Sequence, residues 1–518
     1  MRPDPRPCFL ILMADQLAAA WLPCYGHPVV SAPNLSALAS GATVFDSAYT
    51  AFPLCAPARA AMLTGRFAST VGVYDNAAEL PASVPTLAHA LRAAGYHTAV
   101  AGKMHFVGPD QLHGFEERLT TDIYPADVDW TPDWERPLED PLPWYHTMES
   151  VLSPGICAAS MQTDYDGEVC FRATRKLYDI ARHRPDQPFL LFVSFTNPHD
   201  PWELPARYWE RYRRDQIDDP AVGALALEEV DPHSARLRAM CKVDEAQLTG
   251  EQIRRARHGY YAAISYLDER VGEVLGALRD SGLDERTTVI FCADHGEMLG
   301  ERGLWYKMSF LEQSARVPLL VRGPAAGAGP GGRGPARVAQ PVSLLDVAPT
   351  VLELAGLEAD AIAGPTDGVS LAGALHGSAP APSRPVLCEY HAEGVRAPMA
   401  MVRSGPHKLI VSLEDPDLLY DLRSDPRELS NLATDPAFEQ AIGSLRAELG
   451  RRLDLEAIDR RVRSSQRERH LIAQALRHGT PPVWDHEPRF DAAEQYIRNR
   501  EDMYELQRRA RLDSAPVP

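Results

Sequence analysis

The sequence predicts an α/β protein: a large, mixed but mostly parallel sheet sandwiched by helices, then a smaller antiparallel subdomain and a tail. Three observations carry this. A continuous apolar run at 8–14, a mainly apolar one at 189–195 and a further strand pattern at 287–293 read as buried strands, and helical patterns separate them. These runs, with a shorter one at 98–101, end abruptly in polar residues. After about Arg384 the apolar runs become short and are broken by turns. The 518 residues suffice for one large domain and a smaller one. We divide them into a catalytic domain at 1–383, a small α+β subdomain at 384–450 and a helical extension at 451–518.

Taken in order, the first strand, Cys8–Ala14, ends in Asp15-Gln16. Ligands of open α/β sheets gather at the carboxyl ends of strands, so this is a natural site position. Residues 54–66 place a thiol, Cys55, at or just before a helix N-terminus, where backbone N–H groups favour an anion. Pro57 suits the first turn, and Arg59 adds a fork of donors one turn along. A helix is expected over 84–94, with Pro85 early and Gly95 past its end. The strand at 98–101 runs into Gly102-Lys103-Met104-His105, and that at 189–195 into Thr196-Asn197-Pro198-His199-Asp200. A long helix at 251–280 carries Ile264, Leu267, Val271, Val274 and Leu278 on one face. The strand at 287–293 ends in Asp294-His295-Gly296-Glu297.

The stretch 323–334, rich in Gly, Pro and Ala, reads as a mobile surface loop, and 346–354 as a helix. Short strands at 386–390, 399–403, 408–413 and 418–422 suggest a small antiparallel sheet. From Phe438 the chain is helical and Arg-rich. A proline-punctuated stretch at 479–488 and a last polar helix close it, and no internal repeat is seen.

Composition narrows the function. A net charge of −18 excludes a general affinity for nucleic acid, and an anionic substrate needs a local positive pocket. Of 53 basic residues only five are lysines (Lys103, Lys176, Lys242, Lys307 and Lys408), so a lysine inside a motif carries unusual weight. Eight cysteines without a C-x-x-C pair indicate neither a zinc site nor a disulfide framework. The N-terminal apolar run is too short for a signal peptide, and no run is long enough to span a bilayer. A reducing, cytoplasmic location without membrane contact is the expectation.

Asp15, Gln16, Asp294 and His295, paired at two strand ends, form a candidate metal site. Two carboxylates and an amide oxygen suit Ca²⁺, Mg²⁺ or Mn²⁺, and the imidazole shifts the balance towards Mn²⁺. Either Asp alone reads equally well as a helix cap. Lys103 and His105, two apart after a strand, can face one pocket, with Lys307 shortly after the Asp294 cluster. Lysines are ordinarily solvated, but here two of five fall beside polar strand ends. His199 reads as a turn residue or as a general acid. Cys55 taken alone reads as a buried structural thiol.

With the T-G-R that follows it, C-x-P-x-R at 55–59 resembles the signature of the sulfatases. In that family the cysteine is oxidised to formylglycine, an aldehyde whose hydrate supplies the nucleophilic oxygen. The stretches 13–16, 53–60, 73–79, 102–129, 198–201, 294–296 and 300–310 are similar to choline sulfatases, a branch of the alkaline phosphatase-like superfamily. Similarity covers nearly the whole chain, and 103–129 is the more specific mark of the branch. The resemblance implies an alkaline phosphatase-like fold and hydrolysis of choline-O-sulfate. Asp15, Gln16, Asp294 and His295 then hold one divalent cation together with residue 55. Ca²⁺ is the first expectation, with Mn²⁺ and Mg²⁺ as alternatives. Arg59 and Lys103 steady the hydrate, His105 serves breakdown of the sulfated intermediate, Lys307 neutralises sulfate oxygens and His199 protonates the leaving oxygen.

A quaternary ammonium has no N–H to donate, so aromatic faces and carboxylates bind it. The resemblance implies Trp130, His146 and Glu389 for this task, with Asn76 nearby. Without it, Trp130 reads as packing and Glu389 as a solvated strand residue. The resemblance further implies a homotetramer in which the tail closes a neighbour's choline pocket, and maturation by a formylglycine-generating enzyme. The tail match covers 484–486 and 496–499. Beyond it, Tyr504 stands where an acidic residue is expected against the ammonium, and Asp502 lies two residues earlier. Two other readings stay open: a phosphonate or phosphate mono- or diester hydrolase with the same nucleophile, and an unconverted, non-catalytic binder of choline or sulfate.

Overall fold

The computed structural model of the chain describes residues 6–137, 140–324, 336–358, 360–480, 483–492, 496 and 502–512. Eight strands form the large sheet: β1 (Cys8–Ala14), β2 (Thr43–Phe45), β3 (His97–Gly102), β4 (Glu117–Arg118), β5 (Phe189–Ser194), β6 (Thr287–Ala293), β7 (Leu319–Arg322) and β8 (Ala336–Val338). Their order across the sheet is β8-β2-β7-β6-β1-β5-β3-β4. Only β7 runs against the others, pairing antiparallel with β6 and β2. The remaining pairings are parallel. The central strands are buried along their whole length, as their unbroken apolar sequences require.

Helices cover the sheet. In chain order those used below are α1 (Cys55–Thr64), α2 (Leu87–Ala93), α3 (Met161–His183), α4 (Gly250–Asp280), α5 (Val347–Leu354), α6 (Glu439–Arg452), α7 (Leu455–Leu476) and α8 (Met503–Ala510). The expected apolar face of α4 is the one buried, with Ile264, Leu267, Val271, Val274 and Leu278 all removed from water. Full burial of each such side chain is worth roughly 1.5–3 kcal/mol. The helix expected over 84–94 is shorter: it begins at Leu87 because Thr86 and His89 cap each other's backbone N–H groups. Residues 344–346 form a 3₁₀ turn, so α5 begins one residue later than the sequence pattern suggests.

The expected antiparallel sheet is present, with strands β9 (Val386–Tyr390), β10 (Met399–Ser404), β11 (His407–Ser412) and β12 (Leu418–Asp421) in sequential order. Most of the loop expected at 323–334 lies outside the described residues. No disulfide is formed among the described residues. Among the described residues no helix is long and apolar enough to cross a membrane.

Candidate active site

The four strands with polar ends, β6, β1, β5 and β3, are consecutive in the sheet. Their register levels those ends. Ala14 pairs with Ala293, so Asp15 and Asp294 emerge side by side. Gly102 pairs with Ser194, which brings Lys103 beside the turn that carries His199. Gly102 has φ +99°, and a Cβ there would sit 1.9 Å from Ser194 O, so only glycine lets the two strands finish so close together.

Above these ends lies the start of α1. Cys55 is its first residue and Pro57 its third, and every side chain of the helix is buried. Leu54, at the cap position, has no side-chain acceptor. Asn76 supplies one from a distance, its Oδ1 accepting from Ala56 N at 3.0 Å. Asp15, Cys55, Asp294 and His295 present ligand atoms all within 4.8 Å of one another. Cys55 Sγ is 3.2 Å from His295 Nε2 and 3.9 Å from Asp15 Oδ1.

The donor set fits a divalent cation. Arg59 occupies the outer carboxylate oxygens, with Nη2 3.1 Å from Asp15 Oδ2 and Nε 2.9 Å from Asp294 Oδ2. The inner oxygens, Asp15 Oδ1 and Asp294 Oδ1, each lie 3.7 Å from His295 Nε2. Gln16 holds φ +61°, a strained conformation for a non-glycine residue. Its Oε1 accepts from Lys307 Nζ at 2.6 Å.

Positive charge is concentrated here against the acidic whole. Lys103 Nζ pairs with Asp15 Oδ2, donates to Cys55 Sγ at 3.4 Å and sits 4.1 Å from the centre of the Tyr124 ring. Burial alone would raise the Asp15 pKa, but Lys103, His199, Arg59 and His295 overcome it and hold the carboxyl well below its usual value. Burial works against the charge on Lys307, yet Cys55, Asp200, Asp15 and Asp294 together raise its pKa. Lys307 is flanked by Tyr306 at φ +65° and Met308 at φ +73°, so its loop is held rather than free. Neither lysine is solvated.

His199 is buried, and burial followed by the charge of Lys307 holds its pKa well below the ordinary histidine value. Its Nδ1 is 2.7 Å from Asp200 O and its Nε2 2.8 Å from Lys307 Nζ. A neutral ring donating from Nδ1 and accepting at Nε2 satisfies both contacts. His105, at φ +56°, stacks on Tyr124 with ring centres 5.2 Å apart, and neither ring nitrogen has a partner among the described residues. An aromatic wall continues from there. Trp130 stacks on Trp144 at 5.9 Å and meets Tyr124 at 5.4 Å and His105 at 6.0 Å. His146 stacks on Tyr306 at 4.4 Å and faces His199 at 6.1 Å.

Comparison with known proteins decides what this arrangement belongs to. The family model described as "Sulfatase" matches residues 7–357. The chain belongs to the sulfatase family. It is therefore a sulfuric ester hydrolase. A second model, "Choline sulfatase enzyme C terminal", matches residues 460–512, and "N-sulphoglucosamine sulphohydrolase, C-terminal" matches 300–454. The choline-sulfatase of Rhizobium meliloti is 47% identical over 500 residues, 95% of this chain and 96% of that one. The arylsulfatase of Clostridium perfringens is 27% identical over 469 residues, 87% of this chain and 95% of that one. Among solved structures, the phosphonate monoester hydrolase of Agrobacterium radiobacter superposes with a TM-score of 0.69 at 25% identity, covering 87% of this chain and 96% of that one.

Several residues that shape this sulfatase's site escaped the sequence reading. Glu297 accepts from Leu299 N and Tyr306 N through Oε1 and from Gln16 Nε2 through Oε2. It thereby turns the Gln16 amide oxygen towards Lys307 and braces the loop that carries Lys307. Asp166, on α3, accepts from Thr196 N, Asn197 N and Asn197 Nδ2 at 2.7–2.9 Å and so holds the turn before His199. Asp122 does the same for His105, taking Met104 N and His105 N. The only sequence cue is the polarity of these residues, because each bond joins distant segments.

Glu389 is not a solvated strand residue. It is fully buried, its Oε1 accepts from Ser69 N at 2.8 Å, and its Oε2 has no hydrogen-bond partner among the described residues. Glu393, four residues on, was passed over. It too is buried, with its Oε2 unpartnered among the described residues. Burial and then Asp75 push its pKa up to about 7, while Lys307 and His295 pull the other way. Glu389 Oε2 lies 3.7 Å from His391 Nε2. Asp502 caps α8, accepting from Glu505 N, and Tyr504 is 72% exposed. Among the described residues no hydrogen bond or ring contact joins either to the site of its own chain. Residues 497–499 of the tail match lie outside the described residues.

Proposed function

We propose that this sulfatase hydrolyses choline-O-sulfate to choline and sulfate. The observation that carries the reading is the aromatic wall of Trp130, Trp144 and Tyr124 standing beside the cationic cluster around Cys55. A zwitterion with a sulfate at one end and a quaternary ammonium at the other matches those two surfaces. Similarity to the Rhizobium meliloti choline-sulfatase, which extends through the C-terminal match, supports it. Glu389, buried with its Oε2 unpartnered among the described residues, supplies the counter-charge for the ammonium, with Glu393 as the other candidate, and His146 and Asn76 complete the wall.

Asp15, Gln16, Asp294, His295 and residue 55 would hold the cation, with Ca²⁺ preferred by the predominance of oxygen donors. Together with formylglycine formed from Cys55 by a generating enzyme, the cation supplies an activated oxygen nucleophile. The chain does the rest. Arg59 fixes the two aspartates, and Lys103 holds a positive charge against residue 55. Lys307 neutralises sulfate oxygens. His105 would take up a proton in the step that frees sulfate. His199 would protonate the choline oxygen, a poor leaving group when unprotonated, with Lys307 Nζ beside its ring. The active species is a cytoplasmic homotetramer.

The deciding experiment compares steady-state turnover of choline sulfate and an aryl phosphonate by protein co-expressed with a formylglycine-generating enzyme. Preference for choline sulfate is expected. Preference for the phosphonate would favour the second reading, which the superposition on a phosphonate monoester hydrolase supports. Intact mass at residue 55 separates both from an unconverted binding protein.

A further inference from the structure

Helix α7 of the C-terminal extension reaches the site of its own chain. Arg469 is buried on it and forms a two-pronged ion pair with Asp75, Nη1 to Oδ1 at 2.6 Å and Nη2 to Oδ2 at 2.7 Å. Nη1 also donates to Thr131 Oγ1 at 3.2 Å, and Nε to Ser465 Oγ at 3.1 Å. Asp75 is fully buried and precedes Asn76, the acceptor that caps the helix of Cys55. Thr131 directly follows Trp130. On the same face of α7, Gln466 Oε1 accepts from Trp134 N at 3.3 Å, and His470 Nε2 lies 3.1 Å from Pro132 O. Positions 466, 469 and 470 are helical neighbours. One helix face therefore grips both the Asp75-Asn76 turn and the 130–134 segment.

We infer that Arg469 is a positioning residue that sets the substrate-facing wall formed by Trp130 and Asn76, in the same chain; this rests on the choline reading of that wall. An apolar contact would hold α7 to these loops without the desolvation cost of a buried ion pair. What the guanidinium fork adds is direction, since two parallel bonds fix the Asp75 carboxylate plane and a third fixes Thr131. The wall is thus aimed by the extension and not merely covered by it.

The test uses the full-length, converted enzyme and two substrates, choline sulfate and an aryl sulfate that carries no cationic group. Arg469→Gln should raise KM for choline sulfate roughly tenfold, the scale of a displaced cation–π contact. KM for the aryl sulfate should stay within about twofold, a difference too small to reflect a lost contact. Arg469→Lys should restore only part of the loss, because an ammonium cannot make the fork. Thr131→Val, which leaves the ion pair intact, should raise KM for choline sulfate in the same direction and serves as the test if Arg469→Gln does not fold. Unchanged KM for choline sulfate in folded variants, or equal losses for both substrates, would overturn the inference. A parent enzyme that does not turn over choline sulfate would instead overturn the substrate reading, and the inference with it.

Discussion

Lys307 Nζ stands 2.8 Å from His199 Nε2, and both side chains are buried. Burial and that ammonium keep the imidazole neutral, so the proton between them resides on the lysine. In the proposed mechanism His199→Ala removes the group that protonates the leaving oxygen. Turnover of choline sulfate should fall by ~10²–10⁴-fold, the usual contribution of a positioned acid. An aryl sulfate, which leaves without protonation, should lose far less. Parallel measurement of kcat on both substrates checks this, and equal losses would mean that His199 binds rather than donates.

Cys55→Ser should abolish multiple turnover while the fold is kept. Serine offers an oxygen nucleophile but no second hydroxyl on the same carbon, so a sulfated serine has no internal route to release sulfate. Intact-mass detection of a stalled sulfated protein, with near-wild-type thermal stability, is the expected result. Sustained turnover by this variant would defeat the mechanism.

Two buried carboxylates compete for the ammonium. Glu389→Gln should raise KM for choline sulfate more than Glu393→Gln, because burial raises the Glu393 pKa to about 7 and leaves it only partly charged, while Glu389 keeps Oε2 unpartnered among the described residues. Trp130→Ala should also raise KM, by the loss of a desolvated cation–π contact worth about 2 kcal/mol or more. A sulfate ester of similar size without a cationic group should be little affected by any of the three. The reverse order of the two glutamates would move the role to Glu393.

The parts legible in the sequence are those that local periodicity fixes. A strand-like apolar run that stops at polar residues marks a strand end, whatever lies beside it, and Asp15, Lys103, His199 and Asp294 are legible that way. The structure adds that their strands are consecutive and level, which no local pattern encodes. Residues that act by gripping a distant segment were invisible: Glu297 on Gln16, Asp166 on the His199 turn, Arg469 on Asp75. Their sequence neighbours carry no trace of the partner. Asp502 and Tyr504 stay unplaced for a different reason. The partner expected for them belongs to another copy of the chain.

Lys408 ties the small sheet to the catalytic loop. Its Nζ reaches Glu312 Oε1 at 2.6 Å, Glu428 Oε1 at 2.7 Å and Phe310 O at 2.8 Å, wholly out of water. Lys408→Met takes the cation from Glu428 and leaves Glu312 with Arg316 at 3.3 Å, and breaking a buried pair of this kind costs ~3–5 kcal/mol. The sign of its pH dependence follows. Burial raises Glu428 even in the intact cluster, while Lys408 is the chief influence holding Glu312 down. Without the lysine Glu428 loses the chief influence that holds it down and titrates further above the unfolded value of 4.5, while Glu312 keeps the opposing charge of Arg316. The native state then binds protons that the unfolded chain does not, and stability is regained as pH falls from 8 towards 4.5. Thermal midpoints of parent and variant should therefore differ most near pH 8 and converge on acidification. A gap independent of pH would mean that the loss is packing alone.

The tail is only partly accounted for by its own chain. A short helix such as α8 is marginal in isolation, and a frayed end is the ordinary outcome. Its approach, however, is docked: Trp484 packs on the small cluster of Val107, Val128 and Ala473, and His486 Nε2 lies 3.1 Å from Arg118 O. Arg118 in turn pairs with Asp122, which holds His105. Beyond that point Phe490, Tyr496, Met503 and Tyr504 stay exposed, a density of large apolar side chains that a solvated end does not need. Assembly would cover them and bring Asp502 or Tyr504 to a neighbour's choline pocket. Deletion of the residues after Pro482 should therefore lower the mass measured by light scattering from that of a tetramer and raise KM for choline sulfate. Tyr504→Ala, which leaves the docked approach intact, should raise KM without changing the mass if its ring faces the ammonium. Asp502→Asn should do so instead if the carboxylate does. A truncated enzyme with unchanged mass and KM would reduce the tail to a solvated end.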